Sequence, residues 1–317
     1  MSVKVSIIIP VFQGGRYLAD CLDSVLAQTF KDFEVICVDD GSTDESSKIL
    51  ADYARRDGRL RVVRQENAGQ GAARNRALTL ANGKYVEFLD ADDLIEPETL
   101  DRLVGLAEEN SLDHVIFSAE PFLDGAEKVL KPVRIEQMCK AYPIPPNLVG
   151  QVLSGVQAFQ RLVAQHSFFV SPCLRLLSRD MLKRNACRFA QGVFLEDTFF
   201  TPFALLASDR VMMIPDRLYR RRLHAASTMT DPKIAARRSA DARRIGQLLE
   251  KRFRERGDVG ALAKAAHCFL EDVYRGFLVQ DALAHAGFIG WTRRVFLSLV
   301  DRGPIFALRY IKRSVWK

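Results

Sequence analysis

The chain has 317 residues, 48% of them hydrophobic and 27% charged, with a formal net charge of +7. That is the profile of a soluble globular protein, long enough for one large domain with an appendage or for two, and it excludes intrinsic disorder. No apolar run approaches the ~20 residues of a membrane helix.

The N-terminus runs straight into a strand, so no signal peptide is expected and the reading is cytoplasmic. The six cysteines stand singly, which argues against a structural zinc and fits a reducing compartment. Acidic residues are plentiful up to about residue 127 and arginines dominate after residue 216. Such a basic C-terminal half suits an anionic partner, a membrane surface or a nucleotide. No nucleic-acid motif accompanies it, so nucleic acid is not expected.

Val3 to Ile9 is a near-continuous β-branched run, a buried parallel strand ended by Pro10. Gly14-Gly15 makes the turn, and Leu18, Cys21, Leu22, Val25 and Leu26 recur at helical spacing. A second strand, Phe33 to Val38, stops at Asp39-Asp40-Gly41-Ser42-Thr43-Asp44, where Ser42 or Thr43 can cap the next helix. Leu60 to Val63 is a short third strand, followed by Asn67-Ala68-Gly69-Gln70-Gly71 and a helix. The fourth strand starts at Tyr85 and stops abruptly in Asp90, Asp92 and Asp93. Another helix carries Leu100, Leu103, Val104 and Leu106, and His114 to Phe117 is a fifth strand.

Strands alternating with helices predict a doubly wound, mostly parallel α/β sheet with right-handed crossovers and helices on both faces. Such sheets bind ligands beyond the carboxyl ends of their strands. The polar residues fall there: Asp39 and Asp40, then Asn67, then Asp90 and Asp92. Three carboxylates at one strand end repel one another unless a cation or ligand sits among them. Hard ions such as Mn²⁺ and Mg²⁺ prefer carboxylate and phosphate oxygens, so one or two carboxylates plus a diphosphate complete their shell. Alternatively, the run is a strand end followed by an acidic helix N-terminus.

From about Phe122 to Gly150 several prolines break the pattern, which reads as a long connection or flap. Val156 to Val163 looks helical, and Phe168 to Leu177 resembles a strand. Beyond Ala240 the chain reads as helices, with Ile245, Leu248, Leu249 and Phe253 on one face. Trp291 to Lys317 interleaves aromatic and aliphatic residues with Lys and Arg. It can lie on an anionic membrane or dock as a helix with a solvated basic face. Three regions result: 1–120 as the alternating α/β half, 121–235 as a second half with the flap, and 236–317 as a helical basic region.

Four stretches carry a family resemblance: Val5 to Phe12, Val38 to Asp44, Asn67-Ala68-Gly69 with Ala73-Arg74-Asn75, and Phe88 to Asp93. In this order and spacing the chain resembles a family 2 glycosyltransferase with a GT-A fold, of the bacterial surface-polysaccharide type. Downstream the likeness thins to Glu196-Asp197 and to Tyr219, Arg222, His224 and Ser227. Gln13 departs from it, standing where the family usually shows Asn, with an expected effect on local turn chemistry.

The resemblance implies that Pro10, Phe12 and Asp40 hold the base of a nucleoside-diphosphate sugar, a UDP-sugar before others. Arg74 would line the donor pocket. Asp90-Ala91-Asp92 matches the D-x-D motif, with Asp92 as metal ligand and Asp90 beside it. Asp197 matches the catalytic base, with Glu196 as its neighbour, and Arg222 and His224 match positions that can meet the diphosphate. The cofactor is then Mn²⁺ or Mg²⁺, and the acceptor a glycan or lipid-linked hydroxyl at the inner membrane face. The chemistry agrees: inverting transfer needs a base for the acceptor proton, and an ordinary Asp is ionised at pH 7. A sugar-1-phosphate nucleotidyltransferase would want a glycine-rich phosphate loop after strand one, and a nicotinamide dehydrogenase a G-x-G-x-x-G; neither is present. A non-catalytic nucleotide-binding scaffold and a retaining transferase remain as alternatives. His114, His166, His267 and His285 read as structural.

Overall fold

A computed structural model describes residues 3–124, 142–224, 232–257 and 260–285. Most of the flap, Ser227 and the basic segment 291–317 therefore lie outside the described residues, as does Cys139.

The first half alternates as its hydrophobic pattern predicts. β1 (Val5–Val11) is followed by α1 (Leu18–Leu26), β2 (Phe33–Asp39), α2 (Ser46–Arg56), β3 (Leu60–Arg64), α3 (Gln70–Leu80) and β4 (Tyr85–Phe88). A two-residue strand, β5 (Leu94–Ile95), and α4 (Thr99–Glu109) lead to β6 (His114–Leu123). Then come α5 (Gly155–Ala164), β7 (Arg175–Ser178), α6 (Arg179–Arg184), α7 (Glu196–Leu206) and β8 (Val211–Leu223). Two long helices close the described chain, α8 (Pro232–Arg256) and α9 (Gly260–His285).

One sheet runs through both halves, in the order β3-β2-β1-β4-β7-β6-β8-β5. β1 pairs parallel with β2 and β4, and β2 with β3, so four strands point their carboxyl ends the same way. β7 enters antiparallel between β4 and β6, while β8 runs parallel to β6 and antiparallel to β5. Every residue of β1 is buried, because helices cover both faces and leave no position for a polar side chain in water. Glu87 in β4 is fully buried as well, and neither carboxylate oxygen has a hydrogen-bond partner among the described residues.

Several local expectations are corrected. The fifth strand runs on to Leu123, into the start of the expected flap, because its outer half pairs with Arg217–Leu223 of β8. The expected strand from Phe168 shortens to β7, preceded by a 3-10 turn at Pro172–Leu174. Pro172 has no N–H to give a ladder there. Neither Ser42 nor Thr43 caps α2, which starts at Ser46. Asp39 takes the Ser42 amide at 2.8 Å and the Ser47 hydroxyl at 2.6 Å, while Asp44 takes the Ser46 amide at 3.1 Å.

The two long helices dock through aromatic residues. Phe159 of α5 meets Phe253 at 6.1 Å and Phe269 at 5.8 Å between ring centroids. Ile245 and Leu249 are fully buried with them, as the helical spacing predicts. No helix among the described residues is long and apolar enough to cross a membrane.

Candidate active site

The carboxyl ends of β1, β2 and β4 bring the expected residues to one edge of the sheet. Pro10 is buried at the end of β1, and Phe12 just beyond it is 53% exposed, an unusual position for a large aromatic ring. Gln13 follows in the left-handed region, at φ 52°. Asn visits that region more readily than Gln, so the departure from the family pattern sits where the backbone is strained. Its side chain compensates: Oε1 accepts from the Thr43 and Asp44 amides, both at 3.2 Å, and Nε2 donates to the Thr43 hydroxyl at 2.9 Å. The expected effect on turn chemistry is thus a bridge between the loops after β1 and β2.

Asp40 is buried, and both its oxygens are engaged. It accepts from the Gly69 amide at 2.8 Å, the Ala68 amide at 2.9 Å and the Gln65 side chain at 2.7 Å. These bonds fold the Asn67–Gly69 turn over the end of β2. Asp39 is structural here, its carboxyl held below the usual range by the Ser47 and Ser42 hydrogen bonds, which overcome its burial.

The D-x-D carboxylates part company. Asp90 accepts at Oδ1 from Arg74 at 2.7 Å and Gln70 at 2.9 Å. Asp92 meets His224 Nε2 at 2.9 Å, and the other His224 nitrogen is buried without a partner. Ala91 is half-buried between them and faces Gly14. Asp93 points inward, accepting from the Tyr219 hydroxyl at 2.7 Å and the Arg222 amide at 2.6 Å. Burial, with Asp92 and Asp90 close by, pushes its carboxyl well above the usual range. Among the described residues no group of three or more His, Cys, Asp or Glu could hold a metal unaided.

Arg222 is where the sequence put it, beside this edge, but its charge is already matched. It donates to Asp20 at 2.9 Å, Asp124 at 3.3 Å and the Asp92 carbonyl at 2.9 Å, and lies over the Tyr17 ring at 4.7 Å. Carboxylates from α1 and from just beyond β6 thus occupy the guanidinium expected to meet a diphosphate.

Asp197, the expected base, comes from the far half of the chain. Asp197 lies in the first turn of α7, and Leu195 before that helix is left-handed at φ 72°. A non-glycine residue held there costs on the order of 1–3 kcal/mol. Asp197 is pushed up to about 7, first by burial and then by the charge of Glu196, against the opposing pull of Arg74. This corrects the expectation of an ordinary ionised Asp: burial and the Glu196 charge favour the protonated form more than in a free Asp. Arg74 joins the two halves, donating to Asp90 on one side and to Glu196 at 2.7 Å on the other. The approach requires a glycine at residue 71 of α3, where a Cβ would stand 2.8 Å from Glu196 Cγ and 2.9 Å from the Ala190 carbonyl.

Sequence reasoning missed Tyr17, and it named Asp93 and Tyr219 without a role or the bond between them. Tyr17 packs tilted against His224 with ring centroids 4.5 Å apart, and its buried hydroxyl has no partner among the described residues. Its signal was an aromatic just after the Gly14-Gly15 turn. The histidines fall as expected where described: His114 is buried between Arg175 and Ser208, and His166 and His267 pair with Asp272 and Glu271.

Comparison with known proteins bears on the family and the fold. "Uncharacterized glycosyltransferase EpsJ" of Bacillus subtilis is 33% identical over 219 residues, 68% of this chain and 60% of that protein. The "Poly(ribitol-phosphate) beta-glucosyltransferase" of Bacillus spizizenii is 41% identical over 222 residues, 68% of this chain and 32% of its own length. The chain thus spans less than two thirds of these relatives. Among solved structures, S. aureus TarS 1–349 in complex with UDP-GlcNAc has a TM-score of 0.63 at 22% identity, covering 92% of this chain and 79% of that one. The mannosyltransferase PcManGT of Pyrobaculum calidifontis, in complex with GDP-Man and Mn²⁺, has a TM-score of 0.60 at 18% identity, covering 99% and 80%. Both share the GT-A type of fold with this chain. The profile described as "Glycosyl transferase family 2" matches residues 6–185, more than half of the molecule, and the chain belongs to that family.

Proposed function

We propose that the protein is an inverting, metal-dependent glycosyltransferase that moves a sugar from a nucleoside-diphosphate donor, a UDP-sugar before others, to a hydroxyl of a glycan or lipid-linked acceptor. The observation that carries the reading is the Asp90–Arg74–Glu196 bridge, which sets the D-x-D strand end beside Asp197.

Each residue then has a task. Exposed Phe12 offers a face for the base, and Asp40 holds the turn that borders it. Two carboxylates at a strand end suit a hard ion that takes its remaining ligands from diphosphate and water, so Asp92, with Asp90 alongside, would hold Mn²⁺ or Mg²⁺. Bound there, the ion supplies charge neutralisation for the departing diphosphate. Arg222 and His224 adjoin the same edge and can turn from their carboxylates toward phosphate oxygens. Asp197 takes the proton of the acceptor hydroxyl as that oxygen attacks the anomeric carbon from the side opposite the leaving group. A pKa near the working pH suits that base, since it can both receive and release the proton. The names of the neighbours support the donor class, and the β-linkage named for the Bacillus spizizenii relative is the outcome of inversion at an α-configured donor.

The test is thermal stability with UDP, GDP, dTDP and CMP, each with and without Mn²⁺, on wild type and Asp92→Ala. A ligand bound only by the folded state raises the midpoint according to its concentration over its Kd. UDP should raise it only with Mn²⁺, and Asp92→Ala should abolish the rise. Stabilisation by none of the four would overturn the reading. The anomeric configuration of the product, read by NMR, decides between inversion and retention.

A further inference from the structure

Along β8 the arginines are matched one by one. Arg217 pairs with Glu120, Arg220 with Glu96 at 3.7 Å, and Arg222 with Asp20 and Asp124. Arg74 has Asp90 and Glu196. Arg221 alone in this series has no carboxylate among the described residues within ion-pair distance, although it is half-buried. Asp93 and Asp90 act on it only through space. Its one hydrogen-bond partner among the described residues is the Tyr142 hydroxyl, and the guanidinium lies 5.5 Å from the centroid of that ring.

The direction matters. Strand alternation puts Arg220 and Arg222 on one face, where both lie 4.9 Å from the Phe122 ring, and Arg221 on the other with Tyr219. Tyr142 packs edge-on against Phe169 at 5.4 Å. The Phe169 and Ser171 carbonyls are held by the fully buried Arg175 at 2.7 and 3.1 Å, and Val170 accepts from Thr201 of the base helix at 2.8 Å. Arg221 therefore belongs to the wall that continues toward Asp197, on the opposite face of β8 from Arg222. Burial takes water from this guanidinium, while Tyr142 and the charges of Asp93 and Asp90 more than offset it, so Arg221 stays a cation with no carboxylate in contact among the described residues, and its fork is open to an incoming oxyanion. Its planar fork matches carboxylate and phosphate oxygens, and Tyr142 holds it in place.

We infer that Arg221 and Tyr142 form a seat for an anionic group, a phosphate or carboxylate, carried by the acceptor. This rests on the transfer reading above, since it needs an acceptor. The same chemistry could reach Arg221 from the donor diphosphate, and the experiment separates the two sources. Glycerol 3-phosphate, with glycerol as its neutral match, is titrated calorimetrically into the full chain, alone and with saturating UDP and Mn²⁺. Wild type, Arg221→Gln, Arg221→Lys and Tyr142→Phe are compared.

Glycerol 3-phosphate should bind with UDP and Mn²⁺ present, and glycerol should not. Arg221→Gln should weaken binding about ten- to a hundredfold, the range of one hydrogen bond to a charged group. Arg221→Lys should retain part of it, keeping the charge without the fork. Equal binding by Arg221→Gln, or displacement by UDP, would overturn the inference, the latter because the anion would then sit in the donor pocket. If Arg221→Gln fails to fold, Tyr142→Phe decides: severalfold weakening supports the seat, and unchanged affinity refutes it. Failure of UDP with Mn²⁺ to bind wild type would instead refute the donor reading, leaving the glycerol 3-phosphate comparison to judge Arg221.

Discussion

Arg74 Nη1 stands 2.7 Å from Glu196 Oε1 across 122 residues of sequence, and its other terminal nitrogen stands 2.7 Å from Asp90 Oδ1. All of this lies at 3% side-chain exposure for the arginine, so its two ion pairs are screened little by water. The contact turns two separate acidic motifs into one site. Removing one partner of such a buried set strands the others.

Arg74→Met should therefore cost about 3–5 kcal/mol of stability, because Glu196 loses its counter-charge in a buried place. Chemical denaturation reads this directly. A loss below about 1 kcal/mol, the value of an exposed pair, would mean that the bridge is not formed in solution.

Asp197→Asn should abolish turnover while leaving nucleotide binding in place, since the amide cannot take a proton. In wild type, kcat/KM should rise with pH and level off above the base's pKa of about 7. The sign follows from the role: an acid pushed upward is more protonated at a given pH, and only its ionised form is a base. Burial is the first cause of the shift and the Glu196 charge the second. Glu196→Gln should therefore move the inflection to lower pH even where it lowers the maximum rate. A pH profile that does not shift in Glu196→Gln counts against Asp197 as the titrating base.

Gly71→Ala adds a methyl that would meet Glu196 Cγ at 2.8 Å and the Ala190 carbonyl at 2.9 Å. The carbonyl is backbone and cannot swing aside, so α7 must shift. Overpacking of this kind costs about 1–3 kcal/mol. The kinetic effect should exceed the loss of stability, because the displaced helix carries the base. Steady-state rates with thermal midpoints test it, and a variant as active as wild type would show that the α3–α7 spacing is slack.

Glu87 predicts a pH dependence of stability unconnected with turnover. Burial alone pushes its carboxyl up to about 8. The folded state then holds a proton that the unfolded chain releases near pH 4.5, so stability falls as pH rises from about 4.5 to about 8 and levels off above. The full effect is on the order of 3–5 kcal/mol. Glu87→Gln should remove that slope and be the more stable protein at pH 8 to 9. Parallel stability curves for the two proteins between pH 5 and 8 would mean that water or a hidden partner solvates the group.

What was legible in the chain follows from the range of the forces involved. The alternation that makes β1 to β4 and their helices is local, written in β-branched runs and in apolar spacing such as Leu18, Cys21, Leu22 and Val25. Strand ends are local too, so Asp40, Asp90 and Asp92 could be placed at the ligand-binding edge before any contact was known. Gln13 was legible as an oddity of a turn, though not as the bridge to Thr43 and Asp44. β7 was not legible as an inner strand, because its four residues carry no signal of their partners on β4 and β6.

Sequence by itself determined which side chains carry charge and at which strand ends they stand. Tertiary structure decided whom they meet. It gave Arg222 to Asp20 and Asp124, left Arg221 with no carboxylate in contact among the described residues, and set Glu196 beside Arg74. It also raised Asp197 toward neutrality, since the free energy of a carboxylate depends on the water it loses and the charges it gains. The Glu196 charge is its neighbour in the chain, whereas the opposing Arg74 comes from more than a hundred residues away.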